Sequence, residues 1–473
     1  MRTSKQKARR SVKSRLLRGS SLKLSKIKTG SFERRLSLTK AGLVSGTRMA
    51  GSLTAGLFQS SQKRAEARSA ALSREAKYLV EELGKLKGSV VKIGQIMALY
   101  GEHFLPVEVT EALHTLEEKT AALDWSIMRG LLYEQLGSER FQELDVCETP
   151  IGTASLGQVH RANVKSSGEE ICLKIQYPGV SEAIDADLDS VAQILRLANV
   201  VSRGPAFDEW LEEVRVMMHR EVDYGLEAKT TQRFNDLLKE DDRYVVPSVY
   251  PRYSTSKVLA TSYEEGVHVA SESAQGLSQQ ERNALGQAFL ELFLNELFVW
   301  HEMQTDPNFG NYRVRINTSK SPQLVLLDFG AVQRYDESFI KPVCEMIQSS
   351  YHNDLKGVIQ AGIALDFMHE DWPSDVLETF GKVCMAVLEP LARMDSPAVC
   401  KADHCDESGA YLWAESDLPT RVAKTAARSA VSRYFKIPPK EFVFLNRKLV
   451  GVYTFISVIG AQFDGEPYLR RFL

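Results

Sequence analysis

The chain has 473 residues, 44% hydrophobic and 25% charged, the composition of a globular protein large enough to bury more than one ordinary core. No uninterrupted apolar run approaches the ~18–20 residues that span a bilayer. Six scattered cysteines without a secretory signal point to reduced thiols. Cys400-x3-His404-Cys405 has no second ligand pair spaced to complete a zinc site. The net charge of −2 hides an asymmetry. Residues 1–50 carry fifteen Lys/Arg and one acid, Glu33, so that segment is +14 and the remainder −16.

Such a Ser- and Arg-rich, acid-poor leader has three readings. It resembles an organelle transit peptide, a basic arm on an anionic membrane, where each cation contributes ~1 kcal/mol, or a disordered solubilising tail. Apart from Phe32, no aromatic residue interleaves with the charges, which disfavours nucleic-acid binding. Ala41–Phe58 is rich in small residues and interrupted by Arg48, suited to a membrane interface or to close helix packing. Ser61–Val80 reads as a charged helix. In Val80–Leu105, apolar Leu83, Leu86, Val90, Ile93, Ile96 and Met97 recur at three- and four-residue steps and predict an amphipathic helix. Lys92 and Gln95 share one of its faces, and from pattern alone they read as solvated polar residues. Ala112–Trp125 continues the helical region, which ends near Gly137.

The stretch from Pro150 to Lys174 predicts a strand–turn–strand and then a lysine-bearing strand. Gly152, Ala154, Gly157 and Val159 match the G-x-G-x-x-G-x-V pattern of nucleotide-binding kinases, with alanine for the middle glycine. Lys174 lies in an apolar run, ICLKI, where such proteins hold the lysine that contacts phosphates. Helices are predicted over Ile184–Leu197 and Glu209–Glu221, and a strand near Lys257–Thr261. Glu264–Val267 reads as a hinge. Beyond it, Leu285–Met303 is apolar nearly all round and predicts a buried helix.

QTDPNFGN at Gln304–Asn311 places Asp306 and Asn311 at the D-x-x-x-x-N spacing of a catalytic loop. LLDFGA at Leu326–Ala331 is a full D-F-G after a buried-strand run. Four ordered elements with these internal spacings define an α+β, bilobal protein-kinase-like fold. The usual histidine and arginine before the loop aspartate are replaced by Gln304 and Thr305, which argues against control by a phosphorylated activation loop. No A-P-E follows; GAVQRYDESFIKPVCEMI passes into a helical pattern, so a peptide-docking platform is not expected. The expected divisions are 1–75 (basic leader and charged helix), 76–138 (helical extension), 139–265 (small lobe) and 266–473 (helical lobe).

Lys92-Ile-Gly-Gln95 resembles the KxGQ motif of the UbiB family of atypical kinases, the ADCK group of animals. PIGTASLGQVHRA, LKIQYPG, EVDYGLEA, QTDPNFGN and LLDFGA follow in the family's order over about residues 80–340, and RKLVGVY at Arg447–Tyr453 resembles its C-terminal helices. The resemblance implies that the KxGQ helix covers the nucleotide site, with Lys92 and Gln95 in the active site. It also implies that Glu221, of an ExD motif, pairs with Lys174; Asp223 and Glu227 read either as further site residues or as surface acids. One departure is that Gly152 and Thr153 stand where the family usually has alanines, while Ala154 and Ser155 remain. A glycine there can take a positive φ and let the loop close more like that of an ordinary kinase.

These readings assign the nucleotide to Gly152, Thr153, Ala154, Ser155, Gly157, Val159 and Lys174. Mg2+ falls to Asn311 and Asp328, and the acceptor-orienting base is Asp306. The QTDPN loop resembles the subgroup linked to ubiquinone biosynthesis. It implies an ATP- or ADP-binding, Mg2+-dependent atypical kinase or ATPase at a membrane. The alternatives are a non-catalytic nucleotide-binding scaffold and a small-molecule or lipid kinase. Implied partners are an anionic membrane surface, quinone-biosynthesis enzymes and isoprenoid-phenol lipids, with no nucleic acid. The expected location is the cytoplasmic side of a bacterial membrane, or alternatively the matrix face of the mitochondrial inner membrane.

Overall fold

The computed structural model describes residues 70, 73, 74, 77, 78, 80 and 89–473, apart from 101–104, 114–121, 155, 198–200, 202–204, 317–320, 367, 398–400, 423 and 425–438. The basic leader, Ala41–Phe58, most of the Ser61–Val80 and Ala112–Trp125 stretches, and Ser155 lie outside the described residues. The chain forms two compact units, one of residues up to 222 with 251–260, the other of residues 223–250 and 261–473. Residues 223–250 and 261–265, which the sequence places in the small lobe, thus group with the second unit.

In the first unit, α1 (Ser89–Tyr100) and α2 (Val107–Leu113) precede α3 (Trp125–Gln142). On α1, Val90, Ile93 and Met97 are fully buried, as their three- and four-residue spacing predicts. The chain leaves helical geometry at Gly137, where φ is 74°, and then resumes it to Gln142. The predicted end near Gly137 is thus a break that glycine permits without a Cβ penalty. An antiparallel sheet follows, built on β1 (Leu144–Val146), β2 (Gly152–Thr153), β3 (Gly157–Val164) and β4 (Glu170–Gln176). Helices α4 (Val180–Leu197) and α5 (Pro205–Glu221) each begin about four residues earlier than the sequence indicated, and both pack on α1. Strand β5 (Val258–Ser262) closes the sheet beside β4.

One face of this sheet is dry. Gln158 stands opposite Ile175, and His160 opposite Leu173, all essentially inaccessible. The buried polar pair is satisfied: the Gln158 carbonyl oxygen accepts from Leu123 N at 2.9 Å, and His160 Nδ1 bonds the Cys147 carbonyl at 2.8 Å. Burial holds the His160 imidazole below its ordinary pKa.

The second unit opens with α6 (Tyr224–Leu238), whose first turn is capped by the Asp223 carboxylate accepting from Leu226 N at 2.9 Å. A capping box of Ser278 and Glu281 starts α7 (Gln279–Asn295). The predicted helix through Met303 does not run that far. A π-helical turn at Glu296–Trp300 ends with His301 in the left-handed region, φ 50°. Met303 instead lies in β6 (Glu302–Gln304). Strands β7 (Tyr312–Arg315) and β8 (Gln323–Leu326) form a hairpin, joined in parallel by Tyr244–Val245. After D-F-G the chain first makes β9 (Val332–Arg334), antiparallel to β6. It then enters α8 (Glu337–Tyr351), α9 (Leu355–Ala364) and α10 (Ser374–Val387).

The last long helix, α11 (Lys440–Ile459), packs along α7, with Phe289 and Phe455 edge to face at 4.8 Å. Among the described residues it is the one helix long and apolar enough to cross a membrane by length and composition. It carries a fully buried lysine, Lys448, and its apolar face lies in the core of this unit, as a core helix does.

Candidate active site

In the first unit, the paired strands β2, β3 and β4 set Gly152 opposite Val159, and Val159 opposite Lys174. Directly opposed residues on antiparallel strands project to the same face. Lys174 therefore stands in one row with the glycine turn, half-buried on a strand that fixes its backbone. The turn is held by Ile151 N donating to the Val159 carbonyl and Ala154 N to the Gly157 carbonyl, both at 2.8 Å.

Gly152 does not use the freedom anticipated for it. It sits in β2, outside the positive-φ glycines, and a Cβ there meets no atom within 4 Å. Alanine fits this position without strain, so the structure gives no conformational ground for a loop that closes differently.

Glu221, at the end of α5, forms an ion pair with Lys92 of α1. This corrects the expected pairing of Glu221 with Lys174: α1 packs across α5 and brings the KxGQ lysine to that carboxylate. Gln95, one turn further along α1, is half-buried. Of the two half-exposed positions Lys92 and Gln95, Lys92 thus joins KxGQ to ExD.

In the second unit, the catalytic-loop and D-F-G segments are tied together by their backbones. Thr305 N donates to the Ala331 carbonyl at 2.8 Å, and Leu327 N to the Asn311 carbonyl at 2.9 Å. Asn311 Nδ2 donates to Asp306 Oδ2 at 3.0 Å, which turns the amide oxygen away from Asp306. Asp328 Oδ1 accepts from Gly330 N at 2.9 Å. Phe329 is buried against Phe234 of α6, ring centroids 4.7 Å apart, and this anchors the backbone beside Asp328. A Cβ on Gly330 would lie 3.3 Å from Asp328 Oδ1 and 3.4 Å from Glu227 Oε2. Glu227 is buried and next to the D-F-G glycine, which corrects its surface-acid reading, whereas Asp223 is a helix cap.

Sequence reasoning missed four residues here. Arg447 Nη2 donates to Asp306 Oδ1 at 2.8 Å. Lys448 Nζ lies 2.9 Å from Glu296 Oε2, both side chains essentially inaccessible. Burial pushes the Glu296 carboxyl above its usual range, and the Lys448 charge opposes the push. Gly451 meets Pro307 so closely that an added Cβ would lie 2.0 Å from the proline Cβ. The signal was present in RKLVGVY, where Arg447 and Gly451 are one helical turn apart.

A divalent cation fits this donor set. Asn311 offers an amide oxygen and Asp328 a carboxylate, hard ligands suited to Mg2+. Among the described residues no cluster of three or more His, Cys, Asp or Glu forms a cage of its own. Such a site takes its remaining ligands from phosphates and water, the usual arrangement for Mg2+ in nucleotide enzymes.

A strand lysine beside a glycine turn in one unit, and a D-x-x-x-x-N loop bonded to D-F-G in the other, are the parts of a protein-kinase-like fold. A family model described as the ABC1 atypical kinase-like domain matches residues 115–362, just over half of the chain. The chain belongs to this family. It is 28% identical over 392 residues to "Atypical kinase COQ8, mitochondrial" of Schizosaccharomyces pombe, covering 82% of this chain and 61% of that protein. It is 31% identical over 390 residues to "Atypical kinase COQ8B, mitochondrial" of Danio rerio, covering 82% and 59%. The chain thus spans about three fifths of the length of these two relatives. A solved structure described as the complex structure of Rv3197-erythromycin from Mycobacterium tuberculosis shares the fold at TM-score 0.57 and 21% identity, covering 87% of this chain and 98% of its own.

Proposed function

We propose that the chain is an atypical kinase or ATPase that binds Mg-nucleotide and supports ubiquinone biosynthesis at a membrane. The observation that carries this reading is that backbone and side-chain hydrogen bonds tie the Asp306, Asn311 and Asp328 segments together in the second unit; in this reading they supply a base and two metal ligands. A pure binding scaffold has no physical need for all three. Lys174, Gly152, Thr153, Ala154, Gly157 and Val159 of the first unit are the nucleotide contacts in this reading, with the lysine on the phosphates. Asn311 and Asp328 would hold Mg2+, which when bound neutralises charge on the phosphate oxygens. Asp306 orients the acceptor hydroxyl or a water. Lys92, through Glu221, joins the KxGQ helix to the same unit as Lys174.

The ubiquinone assignment rests on the QTDPN form of the loop and on relatives named as atypical kinases. Those relatives are named mitochondrial, which favours the matrix face of the inner membrane over a bacterial membrane. Isoprenoid-phenol lipids and quinone-biosynthesis enzymes are the partners this reading predicts. The test is ATP turnover by purified protein, with and without anionic liposomes and a quinone-precursor phenol. Turnover that rises with the additions and is lost in Asp306→Asn supports the reading. Nucleotide binding without turnover under every condition would replace it with the scaffold.

A further inference from the structure

The catalytic loop is not held by its own residues alone. Its H-R-D histidine and arginine are replaced by Gln304 and Thr305, yet Asp306 has both carboxylate oxygens engaged, Oδ2 by Asn311 and Oδ1 by Arg447. Arg447 comes from α11, 141 residues further along the chain. One turn later on that helix, Gly451 lets the backbone touch Pro307, the residue after Asp306. Pro307 restricts the Asp306 backbone to extended conformations, so contact at Pro307 and an ion pair at Asp306 act on one short segment.

A third contact supports Gln304, two residues before Asp306. Lys448 pairs with buried Glu296, whose other oxygen accepts from Gln304 N at 3.1 Å. The Gln304 side chain accepts from Tyr312 Oη and donates to the Asp306 carbonyl at 2.8 Å. Three positions of α11, Arg447, Lys448 and Gly451, thus reach Asp306, Gln304 and Pro307 respectively, directly or through one residue.

We propose that Arg447 is a positioning residue for Asp306, and that α11 is the platform on which this catalytic loop is set. The proposal rests on the phosphoryl-transfer reading above. Arg447 does not touch the nucleotide in it; the guanidinium fixes the direction in which the carboxylate presents its remaining lone pairs to an acceptor. An arginine suits this task because its planar fork defines an orientation that a lysine ammonium does not. Both partners are 29% exposed, and an ion pair that open to water adds little to stability. Its loss should therefore appear in turnover more than in melting.

The experiment compares the full-length wild type with Arg447→Met, Arg447→Lys and Gly451→Ala. It measures kcat and KM for ATP, the melting temperature without ligand, and the shift produced by Mg-ATP. Arg447→Met should lower kcat tenfold or more with KM and the Mg-ATP shift within about twofold of wild type, and Arg447→Lys should recover part of kcat. Gly451→Ala keeps the charge but forces Pro307 to move, so it should lower kcat as well. Wild-type kcat in Arg447→Met overturns the proposal while leaving the proposed function standing. So does a fall in kcat no larger than its fall in ligand-free melting predicts. If Arg447→Met does not fold, wild-type kcat in Gly451→Ala and Arg447→Lys overturns it. Wild-type protein that binds Mg-ATP without turnover overturns both.

Discussion

Lys92–Glu221 in the first unit and Lys448–Glu296 in the second are both lysine–glutamate pairs that tie a helix to a motif, but water reaches them very differently. The first keeps side-chain exposures of 21% and 30%, the second 0% and 1%. A part-exposed pair gains little in a high dielectric, whereas a buried charge that loses its partner is costly. Loss of the KxGQ contact should therefore cost little stability, and loss of one partner behind the catalytic loop much more.

The sharpest way to break this contrast is Lys448→Met. It strands Glu296 in the core, and removal of one partner of a buried pair costs about 3–5 kcal/mol. Denaturant unfolding should show that loss, and a companion change of Glu296→Leu in the same protein should restore much of it. A loss of under about 1 kcal/mol would mean that water reaches the pair. In the first unit, Lys92→Ala should lower stability by only about 0.5 kcal/mol. It should nevertheless alter turnover or nucleotide affinity, measured by steady-state kinetics and a nucleotide titration. Unchanged values for both would return Lys92 to the role of a solvated helix residue. Smallest of all is Gly152→Ala, expected within about 0.5 kcal/mol of wild type because the position is open and extended. A large destabilisation in a thermal melt would show that the turn needs a conformation denied to alanine.

The order of motifs made the kinase-like fold legible, because each motif carries its own local signal: glycine turn, apolar strand with lysine, D-x-x-x-x-N and D-F-G. The helices α4 and α5 were legible with starts about four residues late, and α1 was legible from its apolar spacing. The π-helical turn at Glu296–Trp300 was not, since an apolar run looks alike whether it continues as helix or ends in a strand. Partners across long sequence separations were not legible either. Glu221 was given to Lys174 by analogy, and only the packing of α1 on α5 shows that Lys92 reaches it. Arg447 meets Asp306 because α11 folds back along α7, which no local pattern encodes. The sequence leaves Glu227 open between a site residue and a surface acid, because its burial is imposed by D-F-G packing against α6.

The assignment of Asp328 to the metal carries the account, and thermal melting in Mg-ATP tests it most directly. At a hundredfold excess of ligand over Kd the wild type should gain about 2.7 kcal/mol. Asp328→Asn should fold with a melting temperature near wild type and gain little or nothing from Mg-ATP. Full wild-type stabilisation of Asp328→Asn by Mg-ATP would contradict the metal site and the mechanism built on it.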